Sequence, residues 1–308
     1  MSISFSQSKF SIFLRFFILC LSASACCNAQ NYQNKLKDLY AANDTSAQSL
    51  LLKEWELKSP ADPELYIASF NHYMRKSKEE QLALEKTQRA QASLQRADST
   101  ADIAAMYGNQ NAFTDYYGDK ALEYLQKGIL KFPDRLDLRF TRIQALGQKE
   151  RYDEYTYDII QTLEQSNTNK NAWKATNNEL IKDPQKFMLG GVQEFVVQLY
   201  NTNDYTLLES MRAISQTALK YYPQHIESLS NLSIVYLLKK QYDKALDPLL
   251  KAEKLAPKDV IVLSNIAKAY TMKEDLENAT AYYQLCIKYG DAKVKKYAQE
   301  QIDALQKN

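Results

Sequence analysis

Large apolar residues recur along the chain at intervals of three and four, the spacing that gathers them on one face of an α-helix, and polar or proline-bearing breaks separate the runs. The most regular stretch is Ile226–Tyr289. There Leu229, Leu232, Ser233, Tyr236, Ala245, Leu249, Ala252 and Pro257 set a pattern, and adding 34 to each number gives Leu263, Ile266, Ala267, Tyr270, Ala279, Tyr283, Cys286 and Asp291. The large, small and aromatic classes return in register at every position but the last. Small residues at Ser233, Ala245, Ala252, Ala267 and Ala279 mark places where two helices approach closely, and the large residues fill the space around them. Lys239-Lys240-Gln241 and Lys273-Glu274 are polar turns inside each copy, and Pro257, with no amide hydrogen, closes the first. One hairpin cannot cover its own apolar faces, so each must stack on the next. Pro248 lies past the first turn of its helix, where a kink or opened turn costing about 3 kcal/mol is expected.

That spacing resembles the tetratricopeptide repeat, a helix-turn-helix hairpin that stacks on its neighbours. The resemblance implies an all-α fold, an α-solenoid of such hairpins with a C-terminal capping helix, and a surface for holding another molecule. In that family the inner groove is lined mainly by first-helix side chains. At the matching positions this chain carries Ser230, Asn231 and Ile234, then Ile261, Ser264, Asn265, Lys268 and Thr271. The mixture suits an amphipathic helix or an extended peptide better than an acidic tail. A subgroup of the family clamps a C-terminal carboxylate. Asn265 matches one element of that clamp and Lys295 could match another, but Ser230, Ile234 and Gln299 stand where Lys, Asn and Arg are needed, so no carboxylate role is carried over.

Outside the strict copies the pattern loosens. Residues 30–75 read as degenerate N-terminal hairpins, with Asp44 or Thr45 as an N-cap and Tyr66, Phe70 and Tyr73 on one face. Residues 76–111 are rich in Lys, Glu, Gln, Arg and Ala, and two readings fit: a solvated extension of the preceding helix or a polar insertion with partial helix, the latter favoured. Residues 112–164 resume as degenerate hairpins, in which Ala121, Leu125 and Pro133 repeat the spacing of Ala245, Leu249 and Pro257. Residues 165–191 look like a connector, with Trp173, Asp183-Pro184 and Gly190-Gly191. One more hairpin at 192–225 leads into the strict copies at 226–259 and 260–291, and 292–308 gives the capping helix.

Composition agrees with a helix-rich globular chain: 25% charged, 45% apolar, and only seven glycines and seven prolines in 308 residues. The 22 tyrosines supply buried area with a polar tip. Charge changes the picture only after the N-terminus is read. Residues 1–29 resemble a secretory signal: Lys9 and Arg15 precede the apolar run Phe16-Phe17-Ile18-Leu19-Cys20-Leu21, and Cys27-Asn28-Ala29 offers cleavage before Gln30. Ala23-Ser24-Ala25-Cys26 also resembles a bacterial lipobox, which would make Cys26 the lipidated first residue, although Ala23 stands where Leu is usual. The expected localisation is therefore exported and periplasmic, with an outer-membrane lipoprotein as the alternative. Without this leader the basic and acidic residues balance, so nothing favours nucleic acid as a partner, and a membrane enters only through an anchor at Cys26.

Candidate chemistry is sparse. Cys286 is the one cysteine beyond the leader, so an internal disulfide is not expected, and its repeat position makes it a packing thiol. His72 and His225 sit in no metal-binding spacing, no catalytic residue, metal or cofactor is expected, and the glycine pair lacks the company of a phosphate loop. The expected function is a non-catalytic protein-protein interaction scaffold of the bacterial envelope that binds a peptide or helix. Two alternatives stand: a lipid-anchored subunit of an outer-membrane assembly or uptake complex, and a small-ligand or glycan-binding protein using Trp173, Tyr221 and Tyr222. Joint exposure of those aromatics would favour the last; burial would remove it.

Overall fold

The computed structural model describes residues 26–97 and 115–306, with side chains described from Asn31 and not for 88–97. The expected leader therefore lies largely outside the described residues, as does 98–111 of the expected insertion. Among the described residues thirteen α-helices follow one another: α1 (Cys26–Ala41), α2 (Thr45–Lys58), α3 (Pro63–Ala97), α4 (Tyr116–Lys131), α5 (Leu136–Gln148), α6 (Tyr152–Thr168), α7 (Pro184–Asn201), α8 (Leu208–Tyr221), α9 (Ile226–Leu238), α10 (Tyr242–Leu255), α11 (Val260–Met272), α12 (Leu276–Tyr289) and α13 (Ala292–Leu305). The fold is an all-α helical repeat.

Two kinds of break punctuate it. The turn between the first and second helix of a hairpin passes through one left-handed residue: Asn43, Glu150, Asn203, Lys240 or Glu274, each with φ between 54° and 64°. Glycine is the usual occupant of that conformation, and none of these is glycine. The return to the next hairpin is different. Ser59, Phe132, Tyr222 and Ala256 close α2, α4, α8 and α10 with φ from −129° to −141° and ψ from 57° to 75°, and each is followed by proline. A proline ring clashes with an α-helical residue before it, so these four dipeptides end the helices by sterics. Pro63 and Pro184 open α3 and α7, where the missing amide hydrogen costs nothing. Pro248 alone lies inside a helix: it is buried, and α10 runs on through it. Aspartates cap many of the starts, among them Asp44 on the Ala47 amide at 2.9 Å and Asp259 on the Ile261 amide at 2.8 Å.

The chain forms two compact units, one from 26–145 with Lys174–Leu180 and the other from Leu146–Trp173 with 181–306. In the N-terminal unit Tyr32, Leu36, Leu52, Trp55, Leu65, Tyr66, Leu125, Ile129 and Leu138 make the core. Tyr32 stacks on Trp55 with centroids 5.1 Å apart, and the indole nitrogen donates to Asp62 at 2.9 Å. Gly128 lets α4 come close to α3, since a Cβ there would lie 2.8 Å from the Tyr66 Cβ. In the C-terminal unit two cores repeat the same plan. Leu229, Ala245, Leu249, Ala252, Val262 and Ile266 fill the space between α9, α10 and α11. Leu263, Ala267, Tyr283, Cys286, Ala298 and Ile302 do so for α11, α12 and α13. Because α11 serves both, Val262 through Ala269 are all buried, and the helix has lost the one-sided pattern of a surface helix.

Three expected boundaries shift. Helix α3 crosses residue 76 without interruption and runs to Ala97, so the described part of the polar segment is a solvated extension of a packed helix, not an insertion. Its strong helix formers and the absence of Gly or Pro allow this. The connector is shorter than 165–191: α6 continues to Thr168 and α7 starts at Pro184. Gly190 and Gly191 fall inside α7, where a Cβ on Gly190 would meet nothing within 4 Å.

Candidate functional site

The first helices α7, α9, α11 and α13 of the C-terminal unit carry the groove positions expected from the repeat register. Asn231 on α9 is 2% exposed and exchanges side-chain hydrogen bonds with Gln193 on α7: its Nδ2 donates to Gln193 Oε1 at 2.6 Å, and Gln193 Nε2 donates back at 3.4 Å. One repeat later Asn265 is fully buried on α11, and one repeat beyond that the exposed Gln299 on α13 donates to Asp303 at 2.8 Å. Carboxamides thus occupy corresponding places on neighbouring first helices. Lys268 on α11 lies beneath α13 with its ammonium 5.6 Å from the Tyr297 ring centroid, and burial lowers its pKa from the ordinary lysine value.

Ser230, Ile234 and Ser264 are buried as well, while Ile261 and Thr271 are half-buried. Thr271 Oγ1 donates to the Ala267 carbonyl at 2.9 Å. Six of the eight groove candidates are therefore packed between helices, and Ile261 and Thr271, with the half-buried Leu238 and Met272 beside them in register, form what is open. The register identifies the face correctly but not its depth, because Lys268 and Asn265 carry polar atoms into a helix that is enclosed on both sides.

The repeat is electrostatic as well as apolar. Lys239, just past α9, pairs with Glu209 on α8; 34 residues later Lys273 pairs with Asp243 on α10 at 2.6 Å. Single-sequence reading missed these rungs, though the 34-residue offset of Lys239 to Lys273 and of Glu209 to Asp243 was the available signal. Hairpins of one length, one turn conformation and one core plan now stand in register. This is a tetratricopeptide-type helical repeat.

Among solved structures, the chain is similar to residues 41 to the end of MamA from Desulfovibrio magneticus RS-1, at 16% identity and a TM-score of 0.36 over 66% of this chain and 99% of that one. It is similar to a tetratricopeptide repeat protein from Parabacteroides merdae ATCC 43184, at 15% identity and a TM-score of 0.35 over 91% of this chain and 98% of that one. A third is the TPR2AB domain of yeast Sti1 in complex with pHSP90, at 17% identity and a TM-score of 0.34 over 91% and 97%. No family profile matches the sequence, and no curated protein matches it. At these identities the likeness is one of fold.

The groups with chemical potential are engaged structurally. Burial pushes the Cys286 thiol up to about 11, so it carries little thiolate at neutral pH. His72 lies in the N-terminal unit with Nε2 3.0 Å from Ser49 Oγ and Nδ1 3.2 Å from Gln48 Oε1, the spacing of a nucleophile, a base and an orienting group. Ser49 sits inside α2, however, where neighbouring amides are taken by the helix ladder and none is free to face an oxyanion. Its hydroxyl also lies 3.0 Å from the Thr45 carbonyl. The trio reads as a buried polar tie. Burial, then the charges of Lys76 and Arg75, hold the imidazole down at about 4. Among the described residues no group of three or more His, Cys, Asp or Glu could hold a metal ion, and no helix is long and apolar enough to cross a membrane.

The aromatics of the glycan alternative are packed away. Trp173 is buried, Tyr221 and Tyr222 are half-buried, and the Tyr222 hydroxyl is engaged by Ser166 Oγ at 2.6 Å and Asn171 Oδ1 at 2.8 Å. That trio offers no open stacking platform.

Proposed function

We propose that this chain is a non-catalytic protein-protein interaction scaffold of the bacterial envelope, holding a peptide or helix of another protein against the first-helix face of α9, α11 and α13. The observation that supports the reading is the alignment of carboxamides on successive first helices beside the half-buried Ile261, Thr271, Leu238 and Met272. Side-chain amides both donate and accept, so they can hold partner backbone without demanding one sequence, and the apolar groups supply area. Because Asn265 and Lys268 are enclosed, their role is to set the shape of that face. The residues in contact are the half-buried ones.

Export rests on the leader residues alone, and a lipid-anchored subunit attached through Cys26 is the second form of the same reading. An intact-mass measurement of the mature N-terminus separates the two: Gln30 as first residue marks a free periplasmic scaffold, and an acylated Cys26 an anchored one. The binding claim is tested by affinity capture from envelope fractions with the wild type and with the Ile261→Asp, Thr271→Asp double variant. Loss of a discrete partner on substitution is expected. Undiminished capture would reject this face.

A further inference from the structure

The seam between α3 and α4 carries a row of phenol rings that the groove does not use. Tyr73 stacks between Tyr117 and Tyr124, with centroids 6.3 and 5.4 Å away and interplanar angles of 16° and 18°. Tyr116 meets Tyr117 edge-on at 5.3 Å and is 60% exposed, so much of its ring is open to solvent. Cations are set among these rings. The Lys76 ammonium lies 4.4 Å from the Tyr117 centroid, and that of Lys120 lies 4.9 Å from Tyr73 and 5.6 Å from Tyr116, donating to the Tyr116 hydroxyl at 3.4 Å.

The carboxylates nearby have other duties. Glu79 pairs with Arg75 at 3.6 Å, Glu123 with Lys127 at 2.7 Å, and Glu56 accepts from the Tyr124 hydroxyl at 3.0 Å. Among the described residues, no ion pair involves Lys76 or Lys120. The depressed pKa of the neighbouring His72, to which Lys76 and Arg75 contribute after burial, fits the same excess of positive field. Two ammonium groups held in place by aromatic faces, with phenol hydroxyls beside them, match a ligand that combines carboxylates, hydroxyls and flat C–H faces.

We propose that this seam binds an acidic oligosaccharide, with uronate carboxylates paired to Lys76 and Lys120 and one pyranose ring stacked on the open face of Tyr116. An acidic peptide would use the ammonium groups but leave the ring face idle, which is why the sugar is the better fit. The site is separate from the first-helix face of α9 to α13, and either can fail without the other.

Calorimetry on the folded chain tests it, with a galacturonate hexamer as probe and maltohexaose and hexaglutamate as neutral and peptidic comparisons. The galacturonate hexamer is expected to bind and maltohexaose not to. The Lys76→Gln, Lys120→Gln double variant should lose affinity by about tenfold or more, as hydrogen bonds to charged groups are removed. Tyr116→Ala should also weaken the sugar, Lys76→Arg with Lys120→Arg should retain it, and the remote Lys244→Gln should change nothing. Tyr116 and both lysines carry no core packing, and circular dichroism checks that each variant stays helical. Absence of galacturonate binding, or hexaglutamate binding that matches it and ignores Tyr116→Ala, overturns the proposal.

Discussion

Helices α9 to α12 meet through Ala245, Ala252, Ala267 and Ala279, whereas α1 to α4 meet through Tyr32, Trp55, Tyr66 and a buried guanidinium. In the strict repeats the small residues are the contact points, and the same contact returns 34 residues on. In the N-terminal unit each contact is made once. Arg135 is 1% exposed and donates to Glu64 at 2.8 Å and to Asp137 at 2.8 and 2.7 Å; Glu64 also accepts the Asn177 amide at 2.9 Å, which ties the Lys174–Leu180 segment to that unit. Periodic packing tolerates exchange of similar apolar residues, while a single charged tie tolerates little. The two regions should therefore answer mutation differently.

The largest effect is expected at the charged tie. Glu64→Ala leaves Arg135 buried without its principal partner on α3 and should destabilise the N-terminal unit by about 3–5 kcal/mol, read as loss of hydrogen-exchange protection in α3 to α5. A loss no larger than for an exposed control such as Glu80→Ala would remove the tie from the account.

Acid should act on the same unit. His72 titrates at about 4 when folded, below its ordinary 6.5, so the unfolded chain binds the extra proton first as pH falls. Its contribution is complete above about pH 6.5 and is lost as pH drops toward 4, at most about 3 kcal/mol. His72→Gln should flatten that part of a pH-stability curve, and an unchanged slope would contradict the assignment.

In the strict repeats the matching lesion is steric. Ala252→Leu or Ala279→Leu should cost about 1–3 kcal/mol by overpacking, whereas Cys286→Ala, which installs the residue found one repeat earlier, should cost less; chemical denaturation monitored in the C-terminal unit measures both. The smallest effect has the opposite sign. Lys240→Gly and Glu274→Gly relieve left-handed backbone at φ 57° and 64° and should be neutral or stabilising by up to about 1 kcal/mol, the relief being partly offset by glycine's unfolded-state freedom. A loss of stability would show that Lys240 or Glu274 does more than turn the chain.

Legibility in the sequence followed the same division. Ile226–Tyr289 was readable because each position has a counterpart 34 residues away, and the X-Pro stops at Pro60, Pro133, Pro223 and Pro257 are local sterics that any sequence displays. The length of α3 was misjudged because a helix poor in large apolar residues resembles an insertion when only hydrophobic periodicity is counted. The left-handed turns were invisible for want of glycine. The Glu64–Arg135–Asn177 tie joins residues 71 and 113 positions apart, and no local pattern announces it. At the groove face, register located the residues, but burial depends on how closely α11 is flanked by its neighbours, which single positions do not encode.

The central claim is that the half-buried first-helix face holds a protein partner, and site-specific photo-crosslinking addresses it directly. A benzophenone side chain at Thr271, on α11, is compared in cells with one at Lys251, which is exposed on α10. The account predicts a discrete protein adduct from Thr271 and none from Lys251. The same adducts from both, or an adduct from Lys251 alone, would contradict it.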